Sequence, residues 1–141
     1  MEQYTEEIRK FNRFYTRVIG VNNQYTDKSK YSATEAQILY EISIKHHCSA
    51  GYLSDYFYLD KGYLSRIIKR FEKDEIIRKR PALEDKRVAY IEITEKGRNE
   101  LSELISSAND VVSKMIAHLS DEKKQSLIEA MEKIQEILID Y

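Results

Sequence analysis

Tryptophan is absent from this chain, proline occurs once and glycine only four times in 141 residues. So few turn-forming residues exclude a many-turned all-β fold and long loops, and leave a mainly helical protein as the expectation. The single cysteine, Cys48, has no partner for an intramolecular disulfide, which fits a reducing compartment. No run of about 18 apolar residues is present. The N-terminal Met-Glu-Gln-Tyr-Thr-Glu-Glu lacks the basic and then apolar order of a secretory signal, so the expected location is cytoplasmic. Also missing are a glycine-rich phosphate loop, a His paired with a Cys or Ser nucleophile, and metal-ligand spacing. An enzyme therefore fits poorly, and neither a cofactor nor a metal is implied.

Net charge is only −1, yet its distribution is uneven. Between Lys61 and Tyr90 there are ten cations and five anions, a local +5 that leaves −6 for the rest. Such polarisation suits a protein that turns one face towards phosphate, although a charge run is more often the mark of a solvated face. The stretch from Asp60 to Lys73 decides between these. Leu64, Ile67, Ile68 and Phe71 recur at helical spacing, and at about 100° per residue Gly62, Ser65, Arg66, Lys69 and Lys73 fall opposite them. One side packs on a core while the other offers cations and small polar groups, as a helix in a DNA major groove requires.

The flanking elements follow from local signals. A first helix is expected from about Gln3 to Tyr25, on the spacing of Tyr4, Ile8, Phe11, Tyr15, Val18 and Ile19, followed by a polar connection through Asn22, Asn23, Asp27, Lys28 and Ser29. Ser32 and Glu35 form a capping box for a second helix that His46, His47 and Cys48 close. Ser49 caps a short third helix, and Asp60 caps the basic one at the positive end of its dipole. Two helices so closely linked are a helix-turn-helix. Ile76 to Arg80, a charged tip from Ala82 to Lys86, and the alternating Val88 to Thr94 make a β-hairpin, a wing able to reach the DNA backbone or minor groove. Thr94 caps a long helix ending near His118, and Ser120 caps a last one that runs to the C-terminus. The fold class is mainly α with a small β wing, a winged helix-turn-helix over residues 32–96 flanked by terminal helices at 3–25 and 98–141 in one domain.

This order resembles the MarR family of winged-helix transcriptional regulators across essentially the whole chain. The residues that carry the resemblance are Leu64-Ser65-Arg66-Ile67-Ile68-Lys69-Arg70-Phe71-Glu72-Lys73, Asp85-Lys86-Arg87 and Ile91-Glu92-Ile93-Thr94-Glu95-Lys96-Gly97. Within the family, Phe11-Asn12-Arg13-Phe14-Tyr15-Thr16-Arg17 and Asp60-Lys61-Gly62-Tyr63-Leu64-Ser65-Arg66 look most like regulators fused to an acetyltransferase. The chain ends at Tyr141, so no acetyltransferase is expected. The resemblance implies a homodimer whose terminal helices interlock, each winged helix reading half of a palindromic operator; a protein seated on such a site over a promoter blocks polymerase by default, so a repressor is expected. It also implies that Arg87 enters the minor groove with Asp85 holding its direction. The expected DNA-binding residues are Lys61, Gly62, Tyr63, Ser65, Arg66, Lys69, Arg70, Lys73, Asp85, Lys86 and Arg87. Arg66 is the leading base reader, because its fork can bond guanine O6 and N7 together. Lys61, Lys69, Arg70 and Lys73 are expected on phosphate, with Arg70 near the edge of the face.

Family members often bind small aromatic or phenolic effectors in a crevice beside the dimerisation helices, and here Phe11, Tyr15, Tyr31 and Tyr40 are the candidate lining. Aromatic residues at helical spacing more often serve as core. Cys48 lies after the second helix, whereas relatives that sense peroxide carry their cysteine on the first, so burial as a small hydrophobe is expected. Zinc at His46, His47 and Cys48 is disfavoured because adjacent helical side chains diverge and no second ligand cluster completes a tetrahedron. The other function open to the fold is a winged helix used for protein docking, for example to a separate acetyltransferase. A last feature is Glu75, where relatives usually place glycine to end the recognition helix in the left-handed conformation.

Overall fold

The structure, a computed structural model, describes residues 1–22 and 29–141. Asn23, Tyr25, Asp27 and Lys28, named above in the first helix and its connection, lie outside the described residues. The element order is α1 (Glu2–Asn22), α2 (Ala33–Ile44), α3 (Ala50–Phe57), α4 (Lys61–Lys73), β1 (Ile77–Pro81), β2 (Ala89–Ile93), α5 (Glu95–Ile116) and α6 (Asp121–Leu138). It divides into two compact units. One holds α2 to β2 with the start of α5 up to Ser107, and the other holds α1, the rest of α5 and α6.

The winged-helix unit is built around Ile38, Leu39, Leu53, Leu64, Phe71 and Ile76, all essentially inaccessible to water. The four apolar residues of α4 are all buried, at about 1.5–3 kcal/mol of favourable transfer each, so the helix is held firmly by one face. Ser32, Ser49, Asp60 and Ser120 each accept a hydrogen bond from the backbone N–H three residues on, and Thr94 does the same for Gly97. Ser32 and Glu35 complete the reciprocal capping box.

Two boundaries differ from the sequence expectation. Helix α2 stops at Ile44 rather than continuing to Cys48, because Ile91 N–H donates to the Cys48 carbonyl at 2.7 Å and Ser49 bridges to Tyr90. Those bonds draw Cys48 and Ser49 alongside β2, after a turn at His46 and the left-handed His47. Along α5 the division between units falls after Ser107 rather than ahead of the helix. Leu101 belongs to the winged-helix core and Leu104 packs against it, so the first turns of α5 are part of that unit. Gly97 is required there, since a Cβ would run into the Ile76 carbonyl oxygen.

In the other unit, α6 has no buried residue, and Tyr4, Ile8, Phe11 and Phe14 on α1 are all exposed. Phe11 and Tyr15 stack on each other, with ring centroids 5.7 Å apart.

Candidate nucleic-acid interface

Helix α4 enters from a left-handed residue, Tyr58, and from the Asp60 cap, and it leaves through a left-handed Glu75 with φ of 60°. At its exit Glu75 N–H donates to the Glu72 carbonyl and Ile76 N–H to the Phe71 carbonyl, the paired bonds of a Schellman ending. The Thr94 hydroxyl donates to the Glu75 carbonyl at 2.7 Å, tying the exit of α4 to the start of α5. Both ends of the helix are thus fixed, and its orientation is set by the core.

Lys61, Gly62, Tyr63, Ser65, Arg66, Lys69 and Lys73 are all exposed. Their side-chain commitments separate the cations of this region into two groups. Among the described residues Lys61, Arg66, Lys69, Lys73 and Lys86 make no side-chain hydrogen bond or ion pair. The others are engaged. Lys79 pairs with Glu72 at 3.3 Å, Arg78 and Arg80 both bond Glu92, and Arg87 bonds Asp85.

Arg70 departs from its expected place on DNA phosphate. Its guanidinium donates to Glu35 at 2.7 Å and to the Lys30 carbonyl at 2.6 Å, and it lies over the Tyr31 ring. It fastens α4 to the start of α2, and three such contacts leave it little freedom to turn outward. Tyr31, expected among the effector lining, is also occupied: it is 6% exposed, packs edge-on against Phe71 and donates its hydroxyl to Asp74. Burial, with Glu100 and Asp74 nearby, pushes its hydroxyl well above the usual phenol range. Phe11, Tyr15 and Tyr40 are exposed.

The wing pairs β1 with β2 antiparallel, Ile77 opposite Ile93 and Pro81 opposite Ala89. At its tip Arg87 Nε donates to Asp85 Oδ1 at 3.1 Å, and the Arg87 backbone N–H donates to the same oxygen at 3.0 Å. The side-chain bond and then the backbone bond from Arg87 hold the Asp85 carboxyl below its usual range, so it stays ionised. Arg87 remains 91% exposed, aimed but not covered. Cys48 is buried, and burial first, with Glu41 adding, pushes its thiol up to about 11. That keeps it a thiol at neutral pH, as expected for a packed hydrophobe. Among the described residues no group of His, Cys, Asp and Glu is placed to hold a metal ion, and no helix is long and apolar enough to cross a membrane.

With this geometry in place, three comparisons bear on it. The MarR family model matches residues 31–89. The curated HTH-type transcriptional regulator MhqR of Bacillus subtilis (strain 168) is 23% identical over 122 residues, covering 86% of this chain and 84% of MhqR. Among solved structures, a cysteine mutant of MarR from E. coli superposes with a TM-score of 0.79 at 17% identity, covering 89% of this chain and 93% of that one. The same mutant complexed with operator DNA gives 0.73 at 19% identity, covering 91% and 95%. BpsR of Bordetella bronchiseptica, whose DNA binding is described as regulated by 6-hydroxynicotinic acid, gives 0.73 at 17% identity, covering 90% and 91%. These likenesses to solved structures establish the fold.

Proposed function

This chain belongs to the MarR family through its winged helix at residues 31–89, and from that premise we propose that it is a homodimeric, cytoplasmic repressor that binds a palindromic operator through α4 and the wing. The observation that carries the reading is the outward face of α4, where Arg66, Lys69 and Lys73 stand exposed with no anion of their own while neighbouring cations are paired. A paired cation is already partly neutralised by its carboxylate, whereas an unpaired one offers its full charge to phosphate. Arg66 reads base edges; Lys61, Lys69 and Lys73 bind backbone phosphate; Gly62 and Ser65 allow close approach, with the exposed Tyr63 beside them. Arg87 enters the minor groove under the control of Asp85, with Lys86 beside it. Arg70 serves the fold instead.

The dimer is supported by the apolar surface of α1 and α6, which is too extensive for a solvated monomer. A two-fold axis brings two copies of α4 to half-sites roughly 34 Å apart. A protein seated across a promoter blocks polymerase by default, which favours repression. An aromatic effector is included in the proposal, supported by the regulation of BpsR, a protein of similar fold, by 6-hydroxynicotinic acid. Selection of bound fragments from the source genome tests the whole reading. The expected result is a palindrome with half-sites one turn apart, bound with an affinity that falls steeply as salt rises. Recovery of no shared site, or binding indifferent to salt, would overturn it.

A further inference from the structure

Opposite α4, on the far face of the wing sheet, lies a recess of about 360 Å³. The alternation of β1 explains its chemistry. Lys79 faces α4, where it pairs with Glu72, so Arg78 and Arg80 face the other way, opposite Glu92 and Tyr90 on β2. Lys45, just past the end of α2, Arg98, in the first turn of α5, and both His46 and His47 also line it. Four permanent cations thus surround one carboxylate, in a chain whose net charge is −1. A concave site of this volume falls within the range of small-molecule pockets.

The cations are not spent on one another's neighbours. Arg78 and Arg80 each donate to Glu92 through Nε alone, at 3.1 and 2.7 Å, leaving the terminal amino groups of both guanidiniums unbonded among the described residues. A guanidinium has five N–H donors, so both have most of their capacity in reserve. Arg98 has no side-chain hydrogen bond or ion pair among the described residues, and the Lys45 ammonium lies 4.6 Å from the Tyr52 ring centroid. Arg80 lies over the Tyr90 ring and His47 meets the same ring edge-on, which gives the recess a stiff wall.

We propose that this recess binds a small polyanion, a molecule bearing phosphate or carboxylate groups, between Arg78 and Arg80 of the wing and Lys45 and Arg98 of the adjoining helices. Forked guanidiniums suit oxyanions because two parallel N–H donors match two oxygens. A DNA phosphate offers the same chemistry. The position of the recess across the sheet from α4 favours a free ligand over a duplex engaged by that helix. A bound polyanion would tie the wing to the start of α5.

Titration calorimetry with inorganic pyrophosphate, at ionic strength held constant with sodium chloride, tests the site. Saturable binding at one site per chain is expected. Lys45→Gln combined with Arg98→Gln should weaken it about tenfold or more, and Glu92→Gln should tighten it severalfold by removing the competing carboxylate. Circular dichroism checks that the variants fold. No saturable binding, or equal affinity in all three proteins, would overturn the assignment. The same proteins titrated with random duplex DNA across a salt series separate the two phosphate sources and the DNA-binding proposal itself. A free-ligand site predicts unchanged DNA affinity and salt slope in the Lys45/Arg98 double variant. A shallower slope without pyrophosphate binding would give these cations to the DNA backbone and refute a small-molecule site.

Discussion

Glu75 carries a local backbone cost, as His47 and Tyr58 do. It ends α4 in the left-handed conformation, at φ of 60°, where a Cβ crowds the backbone. The Schellman bonds and the Thr94 hydroxyl hold it there, so the surrounding contacts impose a conformation that its own side chain disfavours. Replacing it with glycine removes the crowding but adds freedom to the unfolded chain. The net expectation for Glu75→Gly is a gain of about 1 kcal/mol in a urea melt, with the slope of the transition unchanged. A loss of stability would mean that the glutamate side chain has a role its position does not reveal. Arg70 illustrates a different residue-scale lesson. Its place near the edge of the helix face was legible in the sequence, but its partner Glu35 lies 35 residues away, and nothing local announces such a pair.

At the scale of elements, the helix starts were the most legible feature. Ser32, Ser49, Asp60, Thr94 and Ser120 all cap where their spacing predicts, because a cap is decided within four residues of chain. The helix ends were less so. The stop of α2 at Ile44 depends on β2, more than forty residues on, and the assignment of early α5 to the winged-helix core depends on what Leu101 meets there. The alternation of Val88 to Thr94 holds where Ile91 and Ile93 are buried between half-buried Tyr90 and Glu92, while Ala89 is exposed, and the pairing of Arg78 and Arg80 with Glu92 required the register. The charged recess on that outer face was therefore invisible beforehand.

The wing also carries a prediction of its own. Asp85 and Arg87 form an exposed pair that contributes little to folding, since solvent screens it and holding it costs side-chain freedom. On the proposed reading its use is to aim the guanidinium. Arg87→Ala should therefore weaken operator binding about tenfold, mostly at the narrow-groove flank of each half-site. Asp85→Asn should weaken it by a smaller factor of about two to five while leaving the melting temperature unchanged. Thermal melts alongside fluorescence anisotropy on operator variants check both. A lower melting temperature in Asp85→Asn would make the carboxylate structural and contradict the aiming role.

Considered whole, the molecule separates two tasks. The winged-helix unit supplies a rigid helix with one face buried and one face of uncommitted cations, and the terminal helices supply apolar surface that remains exposed in the single chain. The near-zero net charge conceals this division, since the Lys61–Tyr90 stretch carries +5 against −6 elsewhere. On the proposed reading, a net anionic remainder favours approach to DNA through the cationic Lys61–Tyr90 stretch. The architecture was legible from periodicity and caps. The separation of free from paired cations was not, because it is a property of tertiary packing.

The most direct test of this account is the binding of Arg66→Ala and Lys73→Ala to operator and to random duplex across a salt series. Arg66→Ala is predicted to bring the two affinities together, a discrimination loss of about 1–3 kcal/mol. Lys73→Ala is predicted to weaken both duplexes alike and to reduce the salt slope by about one. Equal losses on both duplexes for both variants would contradict the claim that this face of α4 reads sequence.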